Sequence, residues 1–197
     1  MRVALFGGSF DPVHQGHLVV AEMLRQVEHL DRVVFVPAAR SPHKRTLSAS
    51  AADRLAMLRL AVRGHSAFRV STLELRRPAP SYTIDTVRAW RRLHAERPWL
   101  LLGGDALLEL HTWREWRCLR REARLVVFAR PGAAAARERA RRLGVRYHAL
   151  ALSPVSSSEL RRLLRRQISV RYQVPEAVRR YIETRRLYGW RGGEPRP

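Results

Sequence analysis

The first residues of the chain join a buried strand to a helix through glycine. Residues 2–6 (RVALF) form an apolar run that predicts a buried strand, and Gly7 and Gly8 directly after it predict a tight turn. From about His17 the apolar residues recur at helical spacing, which predicts a helix. This strand–turn–helix opening is typical of chains that build a parallel sheet covered by helices.

The same alternation of strands and helices continues along the chain. It predicts an α/β fold with a Rossmann-like, doubly wound parallel sheet, and with the C-terminal helices packed on the same domain. That single domain is expected to span residues 1–190, followed by a frayed tail at 191–197. The later predicted strands are 32–37, 68–75, 99–102, 123–129 and 145–150, and the later predicted helices are 52–62, 83–96, 133–144, 156–166 and 175–189.

Two of these helices carry further local signals. In the helix at 52–62, Leu55, Leu58 and Val62 fall on one face, which is expected to pack on the core. The helix at 133–144 ends at Gly144, a residue suited to the left-handed conformation of a helix C-cap.

The 197-residue chain is strongly basic, with a formal net charge of +21 from 38 basic and 17 acidic residues. Such a charge attracts polyanions, whether nucleic acid, acidic lipid or phosphorylated small molecules. Lys44 is the one lysine and the arginines are spread along the whole chain, which indicates a general bias rather than one dedicated patch. A basic nucleic-acid-binding module remains an alternative function, although no RNA-binding aromatic motif or helix-turn-helix pattern supports it.

The cysteine count and the hydropathy indicate the cellular compartment. Cys118 is the one cysteine, so no intrachain disulfide can form and a reducing compartment is expected. No apolar run reaches the roughly 18 residues of a membrane span, and the opening run breaks at glycine too early for a signal peptide. The sequence therefore predicts a cytoplasmic protein with no membrane partner; a homo-oligomer is compatible with it, and the oligomeric state stays open.

The turn after the first strand has the composition of a phosphate site. Its glycines and Ser9 let a ligand approach the backbone amides, and the next helix begins close by. His14 and His17 lie three residues apart where the loop enters that helix, so both imidazoles are expected to reach the same anion. The alternative is half of a zinc site, which needs a distant third ligand because Cys118 is isolated. The glycine spacing does not match the usual dinucleotide fingerprint.

Two further segments place polar groups where a ligand would bind. Lys44, kept in a chain that otherwise uses arginine, indicates a site that needs a compact ammonium group, with chance retention as the alternative. Ser81, Tyr82 and Thr83 precede a predicted helix that has Asp85 in its first turn. They either cap that helix or leave its amides free for a carboxylate or phosphate.

A second apolar run that ends in glycine is followed by candidate ligand-binding side chains. Gly103 and Gly104 close the run, and Asp105 after them is suited to sugar hydroxyls. Trp113 or Trp116 is suited to stacking on a planar ring. Because tryptophans three residues apart usually share one core-facing helix face, only one of the two is expected to contact the ligand.

A helix start near the end of the chain combines hydroxyl groups with arginine. Ser156 is predicted to cap this helix, with Glu159 closing a capping box. Arg161 and Arg162 follow one turn later, close enough to meet a phosphate at that N-terminus. The alternative is a capped surface helix with solvated arginines.

These motifs resemble a known family in their residues and in their order. GGSFDPVHQGH at 7–17 resembles the signature of the cytidylyltransferase-like nucleotidyltransferases. With SPHK, SYTIDT, GGD, the tryptophan-rich segment and SSSELRR added, the chain is similar to the bacterial nicotinate-nucleotide adenylyltransferases from residue 1 to about residue 188. The resemblance is thinnest between 132 and 152. Its departures, such as Val155 for isoleucine and Ser158 for threonine, are mild.

The resemblance implies transfer of AMP from ATP to nicotinic acid mononucleotide, which releases pyrophosphate and forms deamido-NAD. It implies Mg²⁺ carried by ATP without a dedicated metal site, and no specific nucleic-acid partner. Asp11 is expected to be a turn residue rather than a metal ligand. The nearest alternative keeps this chemistry and changes the acceptor to nicotinamide mononucleotide, or to both mononucleotides.

The resemblance also implies roles for individual residues. The attacking phosphate is already anionic, so no general base is needed and the site is expected to orient and neutralise phosphates. His14, His17, Lys44 and Arg161 are expected to hold the triphosphate, with His17 nearest the α-phosphate. The implied ATP-binding residues are Gly7, Gly8, Ser9, Phe10, Gly16, Gly103, Asp105, Ser156, Ser157 and Ser158, and the implied acceptor-binding residues are Tyr82, Thr83, Asp85 and Trp113.

Overall fold

A six-stranded sheet forms the framework of the computed structural model, which describes residues 1–40, 47–151 and 154–192. The strand order is β3-β2-β1-β4-β5-β6 and the strand pairs are parallel. The order reverses between β1 and β4, as in doubly wound folds, which confirms the predicted fold class. The strands are β1 (Val3–Gly8), β2 (Arg32–Pro37), β3 (Phe68–Val70), β4 (Trp99–Gly103), β5 (Arg124–Ala129) and β6 (Arg146–Ala149).

Helices connect successive strands and follow the last one. Short 3-10 turns occur at Leu110–Thr112 and Leu187–Gly189. None of the described helices is long and apolar enough to cross a bilayer. The α-helices are α1 (Gln15–Val27), α2 (Ala51–Ala61), α3 (Thr83–Leu93), α4 (Gly104–Leu108), α5 (Trp116–Glu122), α6 (Ala134–Leu143), α7 (Ser157–Arg165) and α8 (Glu176–Thr184).

Alternate residues of the strands face two hydrophobic cores, one on each side of the sheet. On β1, Ala4 and Phe6 belong to the core that contains α1, α2, α7 and α8. Val3 and Leu5 belong to the core that contains α3 to α6. The strands are therefore buried on both faces, as parallel sheets require. The C-terminal helices pack on this sheet, as predicted, through Leu160, Leu164, Val178 and Ile182.

Three predicted elements are longer than the observed ones by three or more residues. The helix predicted at 83–96 ends at Leu93, because His94 is extended with a φ of −140° and a ψ of 122°. β3 covers Phe68–Val70 rather than 68–75. Its partner β2 ends at Pro37, which has no amide hydrogen to extend the ladder. The last helix ends at Thr184, because Arg186 and Tyr188 adopt positive φ angles of 49° and 59° that an α-helix cannot contain.

The predicted buried face of α2 is wrong in part. Leu58 is buried as expected, but the other buried residues of α2 are Asp53, Arg54 and Met57. α2 is covered by α8 as well as by the sheet, and the Tyr181 hydroxyl donates a hydrogen bond to Asp53 Oδ1 at 2.9 Å. Polar groups are thus buried because they are paired.

The remaining predictions concern the C-terminal end of α6, the tail and the domain count. Gly144 adopts a φ of 62° and caps α6, as predicted. The expected frayed tail includes residues 193–197, which lie outside the described residues. That residues 1–190 form a single domain stays a prediction.

Candidate active site

The start of α1 holds the two motif histidines against each other. The His14 amide donates a hydrogen bond to His17 Nδ1 at 3.2 Å, and the two rings stack with centroids 3.7 Å apart. Because His17 Nδ1 accepts this bond, its Nε2 carries the proton and is the donor atom of the ring. His14 is 7% exposed. Burial lowers the pKa of His14 to about 4, so its ring is neutral at pH 7.

The start of α7 is attached to the loop that leads into α1. The Ser157 hydroxyl donates to the Pro12 carbonyl at 2.9 Å. The Arg161 guanidinium donates to the Asp11 carbonyl at 2.7 Å and to Ser158 Oγ at 3.2 Å. The N-termini of two helices are therefore held side by side, and each offers amides and partial positive charge to an anion. We call residues 14–17 and 156–161 the anion cradle.

The cradle contains most of the residues predicted to bind the triphosphate. His14, Gly16 and His17 come from α1, and the three serines and Arg161 come from α7. A Cβ atom placed on Gly16 would lie 3.1 Å from His14 Nδ1 and 3.8 Å from the Val155 carbonyl, so glycine allows this close approach. Lys44 lies outside the described residues.

The capping prediction for α7 is correct for one of its two bonds. Ser156 Oγ accepts a hydrogen bond from the Glu159 amide at 3.2 Å. The Glu159 carboxylate does not close the box, because it pairs with the Arg162 guanidinium at 2.5 and 2.8 Å. Arg162 is therefore engaged with Glu159, whereas Arg161 links α7 to the Asp11 carbonyl.

Asp11 is a structural residue, in agreement with the sequence interpretation. Its carboxylate accepts hydrogen bonds from the Ser48 and Ala49 amides at 2.8 and 3.0 Å and from the Tyr188 hydroxyl at 2.9 Å. Burial and the Asp11 charge raise the pKa of Tyr188, so this hydroxyl stays protonated as a donor. Asp11 joins the glycine turn to the end of the chain, and its oxygens are occupied by protein donors.

Arg54 is a second support of the glycine turn, and the sequence interpretation missed it. Its side chain is 1% exposed, and its guanidinium donates to the Ser9 carbonyl at 2.8 Å and the Ala39 carbonyl at 3.3 Å. Desolvation lowers the pKa of Arg54, an effect that the Asp11 charge opposes. The signal in the sequence was a charged residue, Arg54, on the same helix face as the apolar Leu58.

A cavity of about 310 Å³ opens at the carboxyl ends of β1 and β4. Phe6 in its wall lies next to the cradle, with its ring centre 6.2 Å from that of His17. The register of these strands pairs Ala4 with Trp99 and Leu5 with Leu100 and stops there, so the strands diverge at the point where the strand order reverses. We call it the switch-point cavity. Its wall includes the predicted residues Gly7, Gly8, Ser9, Gly103, Tyr82, Thr83 and Trp113.

The two glycines of the turn are required for different reasons. A Cβ atom on Gly7 would meet nothing within 4 Å, so it would project into the cavity. A Cβ atom on Gly8 would lie 2.9 Å from the Phe10 ring. Phe10 is 2% exposed, has a φ of 48° and packs edge-on against His17. The Phe10 ring belongs to the core, so only its backbone is placed to contact a ligand.

The start of α3 forms one wall of the cavity. Tyr82 is the N-cap residue, and no side chain within the described part of the chain caps this helix. The first-turn amides near Thr83 are therefore placed for a ligand. Ser81 has a structural role, because its Oγ accepts a hydrogen bond from the Ala39 amide at 3.0 Å.

Arg114 places a positive charge on the same wall and was not predicted. Its guanidinium lies 4.9 Å from the centre of the Tyr82 ring and 3.8 Å from the Asp85 carboxylate. Asp85 itself is not part of the cavity wall. A cation held over an aromatic ring is a suitable neighbour for an anionic group of the ligand.

Glu74 is a buried carboxyl group in the cavity wall that the sequence interpretation assigned to a strand. It is 7% exposed, and it accepts hydrogen bonds from the Thr86 hydroxyl at 2.6 Å and from the Ser81 hydroxyl. Arg77 donates to Thr86 Oγ1 at 2.5 Å. Burial raises the pKa of Glu74, against the smaller opposing effect of these hydrogen bonds. The network ties the start of α3 to the end of β2.

The remaining predicted residues follow β4. Trp113 lines the cavity, whereas Trp116 lies outside it beneath Arg117 and Arg120. The expectation that both tryptophans share a helix face is wrong, because a left-handed residue, with a φ of 49° at position 115, separates them. Asp105 is exposed in the first turn of α4 and is not part of the cavity wall.

The described residues contain no group of three or more histidine, cysteine, aspartate or glutamate side chains that could hold a metal ion. The cradle itself offers hydroxyl, imidazole and guanidinium groups. Its one carboxylate, Glu159, is paired with Arg162, and the Asp11 carboxylate before it is bonded to protein donors. Such a donor set suits phosphate oxygens rather than a bare cation.

Comparison with known proteins first gives the class. The family model described as Cytidylyltransferase-like matches residues 5–163, from β1 into α7. The match includes both helix starts of the cradle and the wall of the switch-point cavity.

Curated relatives narrow the class to one family. A relative from Thermus thermophilus, named as a probable nicotinate-nucleotide adenylyltransferase, is 47% identical over 95% of this chain and 100% of its own length. One from Symbiobacterium thermophilum with the same name is 43% identical over 95% of each chain. The chain therefore belongs to the nicotinate-nucleotide adenylyltransferase family.

A solved structure agrees with the fold. The Plasmodium falciparum nicotinic acid mononucleotide adenylyltransferase complexed with NaAD superposes with a TM-score of 0.78 at 19% identity, over 96% of this chain and 98% of its own. At that identity the likeness supports the architecture.

Proposed function

We propose that the protein transfers AMP from ATP to nicotinic acid mononucleotide, forming deamido-NAD and pyrophosphate. One observation carries the proposal: in a chain of this family, the turn at residues 7–9 lines the switch-point cavity, and Phe10 directly after it packs against His17 of the anion cradle. Two ligands bound there would meet at the turn. Orientation of the reacting groups is the main contribution that such a site makes to phosphoryl chemistry.

The acceptor supplies the nucleophile in this reaction. A phosphate oxygen of the mononucleotide attacks the α-phosphorus of ATP, and the bond to the bridging oxygen of pyrophosphate breaks. The attacking oxygen carries no proton to remove, and the departing pyrophosphate takes the electron pair. The protein therefore needs donors for negative charge rather than a base.

His17, His14 and Arg161 are the proposed donors. His17 Nε2 carries a proton because Nδ1 is occupied as an acceptor. His14 is neutral at pH 7, so it acts as a hydrogen-bond donor without net charge. Arg161 supplies the positive charge and is fixed by its bond to the Asp11 carbonyl. The Ser156, Ser157 and Ser158 amides complete the proposed phosphate site, and Lys44 remains a predicted member of it.

Mg²⁺ is proposed to enter with ATP. When bound, the ion would supply positive charge to the triphosphate and to the departing pyrophosphate. In the described residues the cradle offers phosphate donors but no cluster of carboxylates, so the ion would be held by phosphate oxygens and water.

The proposed preference for the acid mononucleotide rests on the wall at α3. A nicotinate carboxylate would accept hydrogen bonds from the amides near Thr83 and lie in the field of Arg114. The NH₂ group of a nicotinamide would point one donor at another. Trp113 is proposed to stack on the pyridine ring, and Asp105 to contact a ribose.

The test is to mix the purified protein with Mg-ATP and either mononucleotide, and to measure pyrophosphate and dinucleotide product. We expect strong turnover with the acid and little with the amide. Arg114→Gln should reduce the ratio of kcat/KM for acid over amide by about tenfold. The matched control is Arg117→Gln, an arginine on Trp116 outside the cavity.

The possible outcomes separate the parts of the proposal. Equal turnover of both mononucleotides would keep the adenylyl transfer and reject the account of the α3 wall. No turnover with either would reject the acceptor class.

A further inference from the structure

A second concave site lies at the opposite edge of the sheet from the cradle. It has a volume of about 360 Å³. Trp99, Arg124 and Arg146 are the first residues of β4, β5 and β6, so this site is at the amino ends of the strands, whereas the proposed reaction takes place at the carboxyl ends. Among the described residues that line it, five are arginines and none is acidic. We call it the arginine cage, formed by Arg2, Arg97, Arg120, Arg124 and Arg146 around Trp99.

Three of the guanidinium groups gather around one aromatic ring. The Cζ atoms of Arg2, Arg124 and Arg146 lie 5.1, 5.4 and 4.8 Å from the centre of the Trp99 ring. Trp99 is 4% exposed, so it forms the floor of the cage and leaves no ring face for a base. The ring stabilises the cations by cation–π attraction and brings them together.

The other two arginines are oriented by main-chain carbonyls. Arg97 donates to the carbonyls of Arg120 and Ala123 at 2.7 and 2.8 Å, and Arg120 donates to the Leu143 carbonyl at 2.6 Å. A guanidinium has five N–H donors, so both groups keep donors for a ligand. Because their orientation is already fixed, binding costs less side-chain entropy.

The cage differs from other arginine-rich surfaces of this chain in its charge balance. Arg88, Arg141 and Arg179 each pair with a glutamate at 2.6–2.8 Å. At the cage, Glu28 pairs with Arg146, and Asp31 accepts a hydrogen bond from the Arg2 amide at 2.6 Å. Within the described residues, no carboxylate pairs with the side chains of the remaining four arginines. The positive charge of the cage is therefore largely uncompensated by the protein.

We propose that the arginine cage binds a compact polyphosphate anion, namely a di- or triphosphate group that is either inorganic or the tail of a nucleotide. Guanidinium groups recognise phosphate oxygens through paired, charge-assisted hydrogen bonds. The volume is within the range of small-ligand sites. An open, compact concavity with a buried floor fits a compact anion better than a nucleic-acid strand, which needs an extended groove and stacking surfaces. The proposal stands independently of the proposed reaction.

The test is calorimetric titration of the full chain with sodium tripolyphosphate. The background is His17→Ala/Arg161→Ala, which removes phosphate donors from the cradle. We expect this background to retain one binding site. Adding Arg2→Ala/Arg124→Ala should weaken that site by about tenfold or more. Adding Arg59→Ala/Arg63→Ala instead removes the same charge from exposed positions on and after α2, and should change the affinity less than about twofold.

Two results of the tripolyphosphate titration would overturn the proposal: a background without any binding, and equal weakening by the cage pair and the control pair. Arg2→Gln/Arg124→Gln, which keeps side-chain bulk, serves if the alanine variant unfolds on thermal melting. ATP in place of tripolyphosphate distinguishes the sources, because similar affinities indicate recognition of the phosphate chain alone. Cage-dependent binding of a single-stranded oligonucleotide without binding of tripolyphosphate would also overturn the proposal.

Discussion

The anion cradle and the switch-point cavity are neighbours, because the glycine turn lines the cavity and Phe10 after it packs against His17, but the two regions are held together by different contacts. The cradle is fixed by side chains that bond to the main chain, as Ser157 does to Pro12 and Arg161 to Asp11. The cavity exists because β1 and β4 diverge after Leu5 and Leu100. Its polar wall is supported by a side-chain network around the buried Glu74.

The cradle is expected to act through its hydrogen-bond donors, whereas the cavity is expected to act through the space that it provides. The cradle contributes charge and hydrogen bonds that matter most when phosphate charge shifts in the transition state. The cavity contributes volume and a few polar contacts that select the acceptor. Substitutions in the cradle should therefore lower kcat and the affinity for ATP, and substitutions in the cavity should mainly raise the KM of the mononucleotide.

The largest expected effect is that of His17→Ala. Loss of one preorganised donor to the transition state should lower kcat by about a hundredfold to a thousandfold, with the KM of the mononucleotide little changed. Steady-state kinetics measure both constants. His29→Asn is the control, because His29 is exposed with a φ of 48° that asparagine tolerates. A similar loss in the control, or a His17 variant with normal kcat, would contradict the account.

Substitutions of the adjacent Gly7 and Gly8 are expected to affect different properties, acceptor binding and stability. Gly7→Val should raise the KM of the mononucleotide by about tenfold or more, because the side chain occupies the cavity, while the melting temperature stays unchanged. Gly8→Ala should instead cost about 1–3 kcal/mol of stability, because its Cβ meets the buried Phe10 ring. Thermal melting and kinetics on both variants make the comparison. Equal melting temperatures for the two variants would show that Phe10 yields to the added methyl group.

Acid should lower the stability of the folded protein through protonation of His14. Its pKa is lowered by burial from 6.5 to about 4, so the unfolded chain binds a proton in this window and the folded chain does not. Stability is therefore present above pH 6.5 and is lost as the pH falls towards 4, by an amount of order 3 kcal/mol. Denaturant unfolding of the ligand-free protein and of His14→Gln measures the difference. Equal pH dependence of the two proteins would mean that His14 titrates normally.

The smallest expected effect is that of Glu74→Gln. Burial raises the pKa of Glu74, so its contribution to stability is present at low pH and decreases as the pH rises through the raised value. Glutamine stays neutral, and the variant should lose this decrease. Because the network only positions α3, the KM of the mononucleotide should rise by about a few fold with kcat unchanged. A fall in kcat alone would place Glu74 in the chemistry instead.

The cradle could be predicted from the sequence because its parts are short, local signals. The histidines, the glycine turn and the serine-rich helix start each lie within a few residues, and local chemistry indicates an anion site at each of them. The sheet could be predicted equally well, because buried strands alternate with helical segments in the sequence. What the sequence could not show is that Ser157 and Arg161 bond to the carbonyls of Pro12 and Asp11, since this joins distant parts of the chain.

The cavity was predictable only in part, for the same physical reason. Arg54 acts on Ser9 across 45 residues, and Glu74 acts through a turn that the pattern assigned to a strand. Arg114 follows Trp113 directly, yet its position over Tyr82 depends on how two helices pack. Each of these charged residues is explained by a tertiary partner rather than by its neighbours in sequence.

The most direct test of this division is to measure the affinity of the two ligands separately on two variants. Calorimetry would give the Kd of a non-hydrolysable ATP analogue with Mg²⁺, and the Kd of nicotinic acid mononucleotide, for His17→Ala and Gly7→Val. We predict that His17→Ala weakens the ATP analogue and leaves the mononucleotide unchanged, and that Gly7→Val does the reverse. If both variants weaken the same ligand, the cradle and the cavity are not separate sites for the two substrates.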